Sequence, residues 1–152
     1  MLKTRLAARI FLINDDNEFF LLRVKHPDAF SAENPIDTYW ITPGGEIEAN
    51  ETNEQAARRE LYEETGITDA EFIIPHAFYS EVELVHKGHP TLFKEWYFVA
   101  RTKTSTISTE NFTEAEKVAI DYHKWWSLNE LRETTDIFFP SNLVEIMEQF
   151  IN

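Results

Sequence analysis

Within the segment RELYEE, residues 59–64, three glutamates carry the clearest chemical signal in the chain. On an α-helix each residue advances about 100°, so Glu60, Glu63 and Glu64 lie on one side within a single turn. Like charges at this spacing destabilise a helix, and the helix dipole disfavours negative charge in the last turn. A hard divalent cation would relieve the repulsion and attract phosphate oxygens. The alternative is a solvated acidic helix end.

The residues on either side predict a helix with well-defined ends. Thr52 and Gln55 have the spacing of a capping box, which predicts the helix start. Most residues up to Glu64 are good helix formers, and Gly66 follows where a left-handed residue would end the helix. Upstream, the glycines of residues 43–45 allow unusual backbone angles at a break in the chain.

A longer pattern contains this segment. Gly45, Glu51, residues 59–64, Gly66 and Ile67 fill the fixed positions of the Nudix box, so the chain resembles the Nudix hydrolase family over residues 45–67. Outside the box the resemblance is looser, in the lead-in to Gly45 and in residues 124–131. It implies a fold of the α/β (or α+β) class, an α/β/α sandwich with a central mixed β-sheet. We expect residues 1–152 to form a single domain of this kind.

The resemblance also implies an activity, the hydrolysis of a nucleoside diphosphate linked to another moiety, with Mg²⁺ or Mn²⁺ as cofactor. Metal bridging phosphate oxygens neutralises their charge and lowers the pKa of bound water, so no nucleophilic side chain is required. Carried over position by position, the box implies that the metal-binding and catalytic glutamates are Glu60, Glu63 and Glu64. It implies that Arg59 orients these glutamates and has a catalytic role. Its structural positions are Gly45, Glu51 and Gly66. A backbone carbonyl of Gly45 is a further expected ligand.

The residue that acts as general base has candidates both in the box and in a later region of the chain. Glu63 is the candidate within the box, whereas Glu114 and Glu116 follow the polar loop of residues 102–113, which we expect to be mobile because it is poor in apolar anchors. We favour Glu116, since it is further from the loop and a base needs a fixed geometry. The alternative is that both residues simply begin a short helical turn.

Substrate contacts are predicted from charge and from aromatic rings. Arg23 and Lys25 end a predicted strand and could meet phosphate, while Tyr39, Phe30 and Tyr79 could stack on a base. The competing interpretations are ordinary surface charge for the first two and core or rim packing for the aromatic residues.

Composition narrows the function classes. The 152 residues include 14 Lys+Arg and 27 Asp+Glu, a net charge of −13, with 43% hydrophobic residues. This apolar content supports a folded core and excludes an acidic disordered chain. The negative charge argues against nucleic acid as a partner but does not exclude a small anionic substrate, since a divalent metal can supply local positive charge. The resemblance implies a small nucleotide-type substrate, with RNA 5′-end or cap hydrolysis as an alternative.

Two further alternatives weaken for specific reasons. A non-catalytic nucleotide-sensing Nudix domain would be favoured by a degenerate box, but the box is intact. The isomerase branch of the family resembles chemistry that uses an active-site cysteine, and the chain has none. No apolar run is long enough for a membrane span or a signal peptide. We therefore expect a cytoplasmic monomer or homodimer with no membrane partner.

Overall fold

A computed structural model describes residues 2–25, 38–86 and 88–151 of the chain. Its elements, in chain order, are β1 (Lys3–Ile13), β2 (Phe19–Lys25), β3 (Thr38–Ile41), β4 (Gly44–Glu46), α1 (Asn53–Thr65), β5 (Glu71–His86), β6 (His89–Arg101), α2 (Glu114–Ala119), β7 (Ile120–Trp126), α3 (Leu128–Glu133), β8 (Phe138–Phe139) and α4 (Leu143–Phe150). Much of the predicted connection between β2 and β3, including Phe30, lies outside the described residues.

The described strands form one mixed sheet in the order β5-β6-β1-β2-β3-β8, with β4 also pairing with β1 and β7 with β2. The pairs β1–β6 and β3–β8 are parallel, whereas the other pairs are antiparallel. The β1–β2 hairpin turns at Asn14, whose side-chain oxygen accepts hydrogen bonds from the backbone of Asp16 and Glu18. β5 and β6 form a second, longer antiparallel hairpin.

Both faces of the sheet are packed, because side chains alternate along each strand. On β1, Phe11 and Ile13 join a core cluster with residues of α3 and α4, whereas Ile10 and Leu12 join a second cluster with α1. The helices thus cover the sheet from two sides, which confirms the predicted sandwich around a mixed sheet. None of the described helices combines the length and apolar character needed to cross a membrane.

One expectation about local structure needs correction. The loop of residues 102–113 does have apolar anchors, since Ile107 and Phe112 pack against the α1-side core. The loop is also tied to the end of α1, where the Ser108 N–H donates to the Thr65 carbonyl at 2.8 Å. A few apolar side chains in a Ser/Thr-rich stretch were enough to dock it. The short strand β8 is not predicted from the sequence, whereas the helical turn considered at Glu114 is present as α2, capped by Thr113.

Candidate active site

Helix α1 has the ends that the sequence predicts. The Thr52 hydroxyl accepts the Gln55 N–H, and the Gln55 side chain accepts the Thr52 N–H, so the capping box is complete. Gly66 ends the helix in the left-handed conformation (φ 72°), and its N–H donates to the Tyr62 carbonyl at 2.9 Å. These two caps fix the ends of the helix. Its rotation follows from the packing of Ala56, Ala57 and Leu61 in the core, and Glu60 and Glu64 are buried on the same side.

Three carboxylates meet at the base of α1. Carboxylate oxygens of Glu60, Glu64 and Glu116 all lie within 4.8 Å of one another. Glu60 is 8% exposed and Glu64 is 3% exposed. Glu116 reaches the same point from α2, where its Oε1 atom also accepts the Thr113 N–H at 2.9 Å. Hereafter these three residues are called the carboxylate cluster.

The cluster is electrostatically unfavourable without a cation. Burial raises the pKa of Glu60 to about 7, opposed by the Arg59 guanidinium and assisted by the carboxylates of Glu63 and Glu116. Burial also raises the pKa of Glu64 well above its usual range, assisted by Glu116 and Glu60 and opposed by a backbone N–H. Each charge is therefore disfavoured by desolvation and by its acidic neighbours.

Arg59 connects the cluster to the loop before the helix. Its Nε and Nη2 atoms donate to both oxygens of Glu51 at 2.7 and 3.0 Å, and its Nη1 atom donates to Glu60 at 2.9 Å. Nη2 also donates to the Glu46 carbonyl at 3.0 Å. The hydrogen bonds to Arg59 lower the pKa of Glu51, so this carboxylate stays charged. A planar guanidinium held at two edges in this way fixes the direction of the Glu60 carboxylate.

The turn at Gly44 and Gly45 presses against the same carboxylates. The Gly44 N–H donates to Oε1 of Glu64 at 2.7 Å. A Cβ atom on Gly45 would lie 2.6 to 2.9 Å from three carboxylate atoms of Glu60, so any larger residue would displace that group. Gly44 has a φ of 146°, and a side chain there would meet the backbone of β1. The two glycines thus let the backbone approach the cluster closely.

Two other predicted acidic residues point elsewhere. Both oxygens of Glu63 lie 3.4 Å from Nη1 of Arg59, which draws this side chain to the rim of the cluster. The Glu114 side chain is 91% exposed and pairs with Lys117 at 3.1 Å. Of the two late candidates, the structure therefore brings Glu116 to the site and leaves Glu114 in solvent. The expectation that a short helical turn begins here is also confirmed, since Glu116 closes the α2 capping box.

The donor set of the cluster fits a hard divalent cation. Its ligand atoms are carboxylate oxygens, which Mg²⁺ and Mn²⁺ prefer in proteins. The three groups come from two helices, converge on one point and repel one another in the absence of positive charge. A cation there would remove the repulsion that raises both pKa values.

On the opposite face of the sheet, a cavity of about 250 Å³ lies beside the Gly44 turn. Its described lining consists of Arg9, Tyr39, Ile41, Thr42, Phe78, Ser80, Glu81, Val82, Leu84, Glu95, Tyr97, Phe139, Pro140, Ser141 and Asn142. Arg9 pairs with Gly44 across β1 and β4, so the cavity and the carboxylate cluster are separated by one turn of chain. Tyr39 contributes a buried ring that meets Phe139 edge-on at 5.4 Å.

The predicted phosphate-binding cations lie outside that described lining. Arg23 donates to both oxygens of Asp121 at 2.9 and 3.2 Å, and its guanidinium lies over the rings of Trp40 and Tyr122. The ammonium of Lys25 is 3.9 Å from the same aspartate. Both cations are therefore engaged with Asp121 on β7.

The polar lining of the cavity was not predicted from the sequence. Nε of Arg9 donates to Oε2 of Glu95 at 2.8 Å, and Nη1 donates to the Thr42 carbonyl at 3.0 Å. Arg9 and Glu95 lie 86 positions apart, so their contact depends on the parallel register of β1 and β6. The available signal was Arg9 as the one charged residue of positions 7–13, and Glu95 next to the apolar run of residues 96–100.

Comparison with known proteins agrees with this geometry. A family model described as NUDIX domain matches residues 3–147. The 8-oxo-dGTP diphosphatase of Escherichia coli (strain K12) is 44% identical over 72 residues, which cover 47% of this chain and 50% of that protein. The chain thus spans about half the length, or less, of the 8-oxo-dGTP diphosphatases that it matches.

Two further likenesses extend over more of the chain. The RNA pyrophosphohydrolase of Bartonella clarridgeiae is 30% identical over 122 residues, covering 74% of this chain and 70% of that protein. The crystal structure of the MutT protein from Methanosarcina mazei Go1 has a TM-score of 0.64 at 18% identity, covering 98% of this chain and 94% of that one. At this identity the second likeness shows the fold alone. With the family model spanning nearly the whole chain and the box residues gathered around one carboxylate cluster, this protein belongs to the NUDIX domain family.

Proposed function

We propose that the protein is a divalent-cation-dependent hydrolase that cleaves a pyrophosphate bond in a nucleotide. The observation that carries this proposal is the carboxylate cluster, in which three acidic side chains converge although burial and mutual repulsion oppose it. Perturbed carboxylates gathered in this way are typical of functional sites. Family membership and the activities of the relatives support the same reaction class.

In this proposal Glu60, Glu64 and Glu116 hold Mg²⁺ or Mn²⁺ through their carboxylate oxygens. When bound, the cation supplies positive charge against the phosphate oxygens and makes an attacking water more acidic. The Gly44 N–H and the Arg59 guanidinium hold Glu64 and Glu60 in fixed directions. Such positioning is valuable because phosphoryl transfer depends mainly on alignment and electrostatics.

The geometry supports a different assignment of the base from the one favoured by the sequence. Glu116 shares oxygen contacts with two buried carboxylates, which suits cation binding better than proton transfer. Glu63 lies at the rim of the cluster, held near Arg59 and partly open to solvent. We therefore assign the proton-accepting role to Glu63, whose carboxylate is within one helical turn of the cluster.

The substrate is assigned from the cavity next to the cluster. Its volume of about 250 Å³ is at the small end of ligand pockets and suits one base rather than a long polymer. The net charge of −13 also disfavours a nucleic acid chain as substrate. We therefore propose a mononucleotide with at least two linked phosphates. Tyr39 would contact the base from the cavity wall, whereas Arg23 and Lys25 would first have to leave Asp121.

A second candidate is hydrolysis at the 5′ end of RNA. It is favoured by the likeness to an RNA pyrophosphohydrolase that covers 74% of this chain. The two candidates differ in what lies beyond the first nucleotide, since an RNA substrate must pass along a strongly acidic surface.

A substrate panel tests the proposal and separates the candidates. Canonical and 8-oxidised nucleoside triphosphates, dinucleoside polyphosphates, sugar nucleotides and a 5′-triphosphorylated RNA would be incubated with Mg²⁺, with Mn²⁺ and with EDTA. We expect release of pyrophosphate or phosphate from mononucleotides with either metal and none with EDTA. Cleavage of the RNA alone would favour the second candidate. Unchanged release in EDTA, or none with any substrate, would contradict the proposal.

A further inference from the structure

The Arg9–Glu95 pair places two charges inside the sandwich. Glu95 is 7% exposed, and its Oε2 atom accepts the 2.8 Å hydrogen bond from Nε of Arg9. A buried ion pair is often no more stabilising than well-packed apolar residues of similar size. Arg9 is the one charged residue of positions 7–13 in β1, and Glu95 is the one charged residue of positions 95–100 in β6. A charge pair within these largely buried stretches therefore points to a role beyond stability.

Both charged groups line the 250 Å³ cavity, together with the side chain of Thr42. Thr42 is 1% exposed, and among the described residues its Oγ1 atom makes no hydrogen bond. Most of the remaining wall is apolar, including Phe78, Val82 and Leu84. A buried polar atom without a partner is unfavourable, so the cavity is prepared for a ligand with polar atoms at one end.

The Glu95 carboxylate keeps accepting capacity toward this cavity. An ionised carboxylate offers about four acceptor positions. Within the described chain, Oε2 accepts from Arg9 and Oε1 accepts from the Tyr97 hydroxyl at 3.3 Å. Each oxygen therefore has room for a further donor. Arg9 fixes the direction of the Glu95 carboxylate. The remaining guanidinium N–H groups of Arg9 and the hydroxyl of Thr42 are hydrogen-bond donors next to this carboxylate.

The cavity is also correctly located for the base of a nucleotide whose phosphates lie at the carboxylate cluster. Gly44 donates to Glu64 on one side and pairs with Arg9 on the other. One short turn thus separates the place for phosphate from the charged end of the cavity.

We infer that Glu95 is a specificity-determining residue that accepts hydrogen bonds from the adjacent N1–H and N2–H groups of a guanine base, with Arg9 as the positioning residue. Guanine also carries its O6 acceptor beside these donors, where Thr42 and Arg9 can donate. Adenine has an acceptor at N1, which would face the carboxylate unfavourably. The inference rests on the proposed function, because it assumes that the cavity receives the base of the substrate.

Binding of nucleoside monophosphates in EDTA tests the inference without catalysis. Calorimetry would compare dGMP, dIMP and dAMP on the wild type, on Glu95→Gln and on Glu83→Gln, which changes an exposed residue of β5 outside the described cavity lining. We expect the wild type to bind dGMP about tenfold more tightly than dAMP or better, the scale of hydrogen bonds to a charged group. dIMP, which lacks the 2-amino group, should fall between them.

Glu95→Gln should remove most of the preference for dGMP and leave dAMP affinity within about twofold, because only the guanine donors lose their charged acceptor. Glu83→Gln should match the wild type. In turnover assays Glu95→Gln should raise KM for dGTP and 8-oxo-dGTP by the same factor at unchanged kcat. Oxidation at C8 leaves the N1 and N2 edge unaltered, so the two substrates should respond alike.

Glu95→Gln leaves the Arg9 charge uncompensated. The double variant Arg9→Gln/Glu95→Gln, which removes both charges, is therefore measured as well. The Tm of each variant checks that it is folded. A wild type that binds dGMP and dAMP equally overturns the inference. So does a folded variant that loses the same factor for every base, which would mark the pair as purely structural. Failure of the proposed function would give a different result from failure of this inference: the wild type would bind dGMP selectively but hydrolyse no nucleotide.

Discussion

Two groups of buried charge lie on either side of the Gly44 turn, and they are neutralised differently. In the carboxylate cluster the charges are alike, and burial together with their acidic neighbours raises the pKa values of Glu60 and Glu64. In the cavity, Arg9 and Glu95 have opposite charges. Burial disfavours the charged form of Arg9, but the nearby Glu95 outweighs it and the pKa of Arg9 is raised. The carboxylate cluster has an excess of negative charge that a bound proton or a cation would relieve, whereas Arg9 and Glu95 balance each other.

The largest expected effect comes from removing a charge from the cluster. Glu64→Gln keeps the size of the side chain and the acceptor for the Gly44 N–H but removes one cation ligand. We expect kcat/KM to fall about 10²- to 10³-fold, the scale of one preorganised electrostatic contributor, while the metal-free protein melts no lower than the wild type. Glu54→Gln, on the exposed face of the same helix, is the matched control. Near-normal turnover of Glu64→Gln at saturating Mg²⁺ would contradict the assignment.

The cavity pair should respond in the opposite way to loss of one charge. Arg9→Met leaves Glu95 buried without its partner, so we expect the free energy of unfolding in urea to fall by about 3 kcal/mol. The double variant Arg9→Met/Glu95→Met should recover most of this loss, because no unpaired charge remains. If the single and double variants were equally unstable, packing rather than charge pairing would explain the effect.

The pH dependence of stability should separate the two regions further. The folded pKa of Glu60 is about 7 against an ordinary value of 4.5, so the folded chain binds the proton more tightly. The unfolding free energy contributed by this group is therefore present at low pH and falls as the pH rises from about 4.5 through 7. In EDTA, we expect Glu60→Gln to gain about 2 to 3 kcal/mol relative to the wild type between pH 5 and pH 8. A difference independent of pH would show that Glu60 titrates normally.

A smaller effect is expected from the turn itself. Gly45→Ala places a methyl group against the Glu60 carboxylate, which Arg59 holds in place, so we expect about tenfold weaker Mn²⁺ binding with little change in Tm. Gly44→Ala is the contrasting variant, since its methyl group would meet the backbone of β1 at a φ of 146° and should lower Tm instead. If Gly45→Ala also unfolded the protein, the turn would be a folding element only.

Sequence reasoning reached the local part of this account. The ends of α1, the glycine turn and the clustering of glutamates on one helical side follow from propensity, capping and the 3.6-residue period. It also found the correct region for Glu116. The choice between Glu114 and Glu116 depended on the Thr113 capping box, which turns Glu116 inward and leaves Glu114 in solvent.

Contacts between residues that are distant in the sequence could not be predicted in the same way. Arg9 and Glu95 meet because β1 and β6 pair in parallel, a choice of register made by the whole sheet. Glu63 also shows the limit of helical geometry, since its position allowed a place in the cluster but Arg59 holds its carboxylate at the rim. Side-chain partners from distant elements decided both outcomes.

The central claim is that Glu60, Glu64 and Glu116 bind one divalent cation together, and titration with Mn²⁺ tests it most directly. Calorimetry would compare the wild type with Glu116→Gln and with Glu114→Gln, a matched change two residues away on α2 whose side chain is 91% exposed. We expect Glu116→Gln to weaken Mn²⁺ binding about tenfold or more, as loss of a charged ligand requires, and Glu114→Gln to bind as the wild type does. Equal affinities for the two variants, or no Mn²⁺ binding by the wild type, would contradict the account.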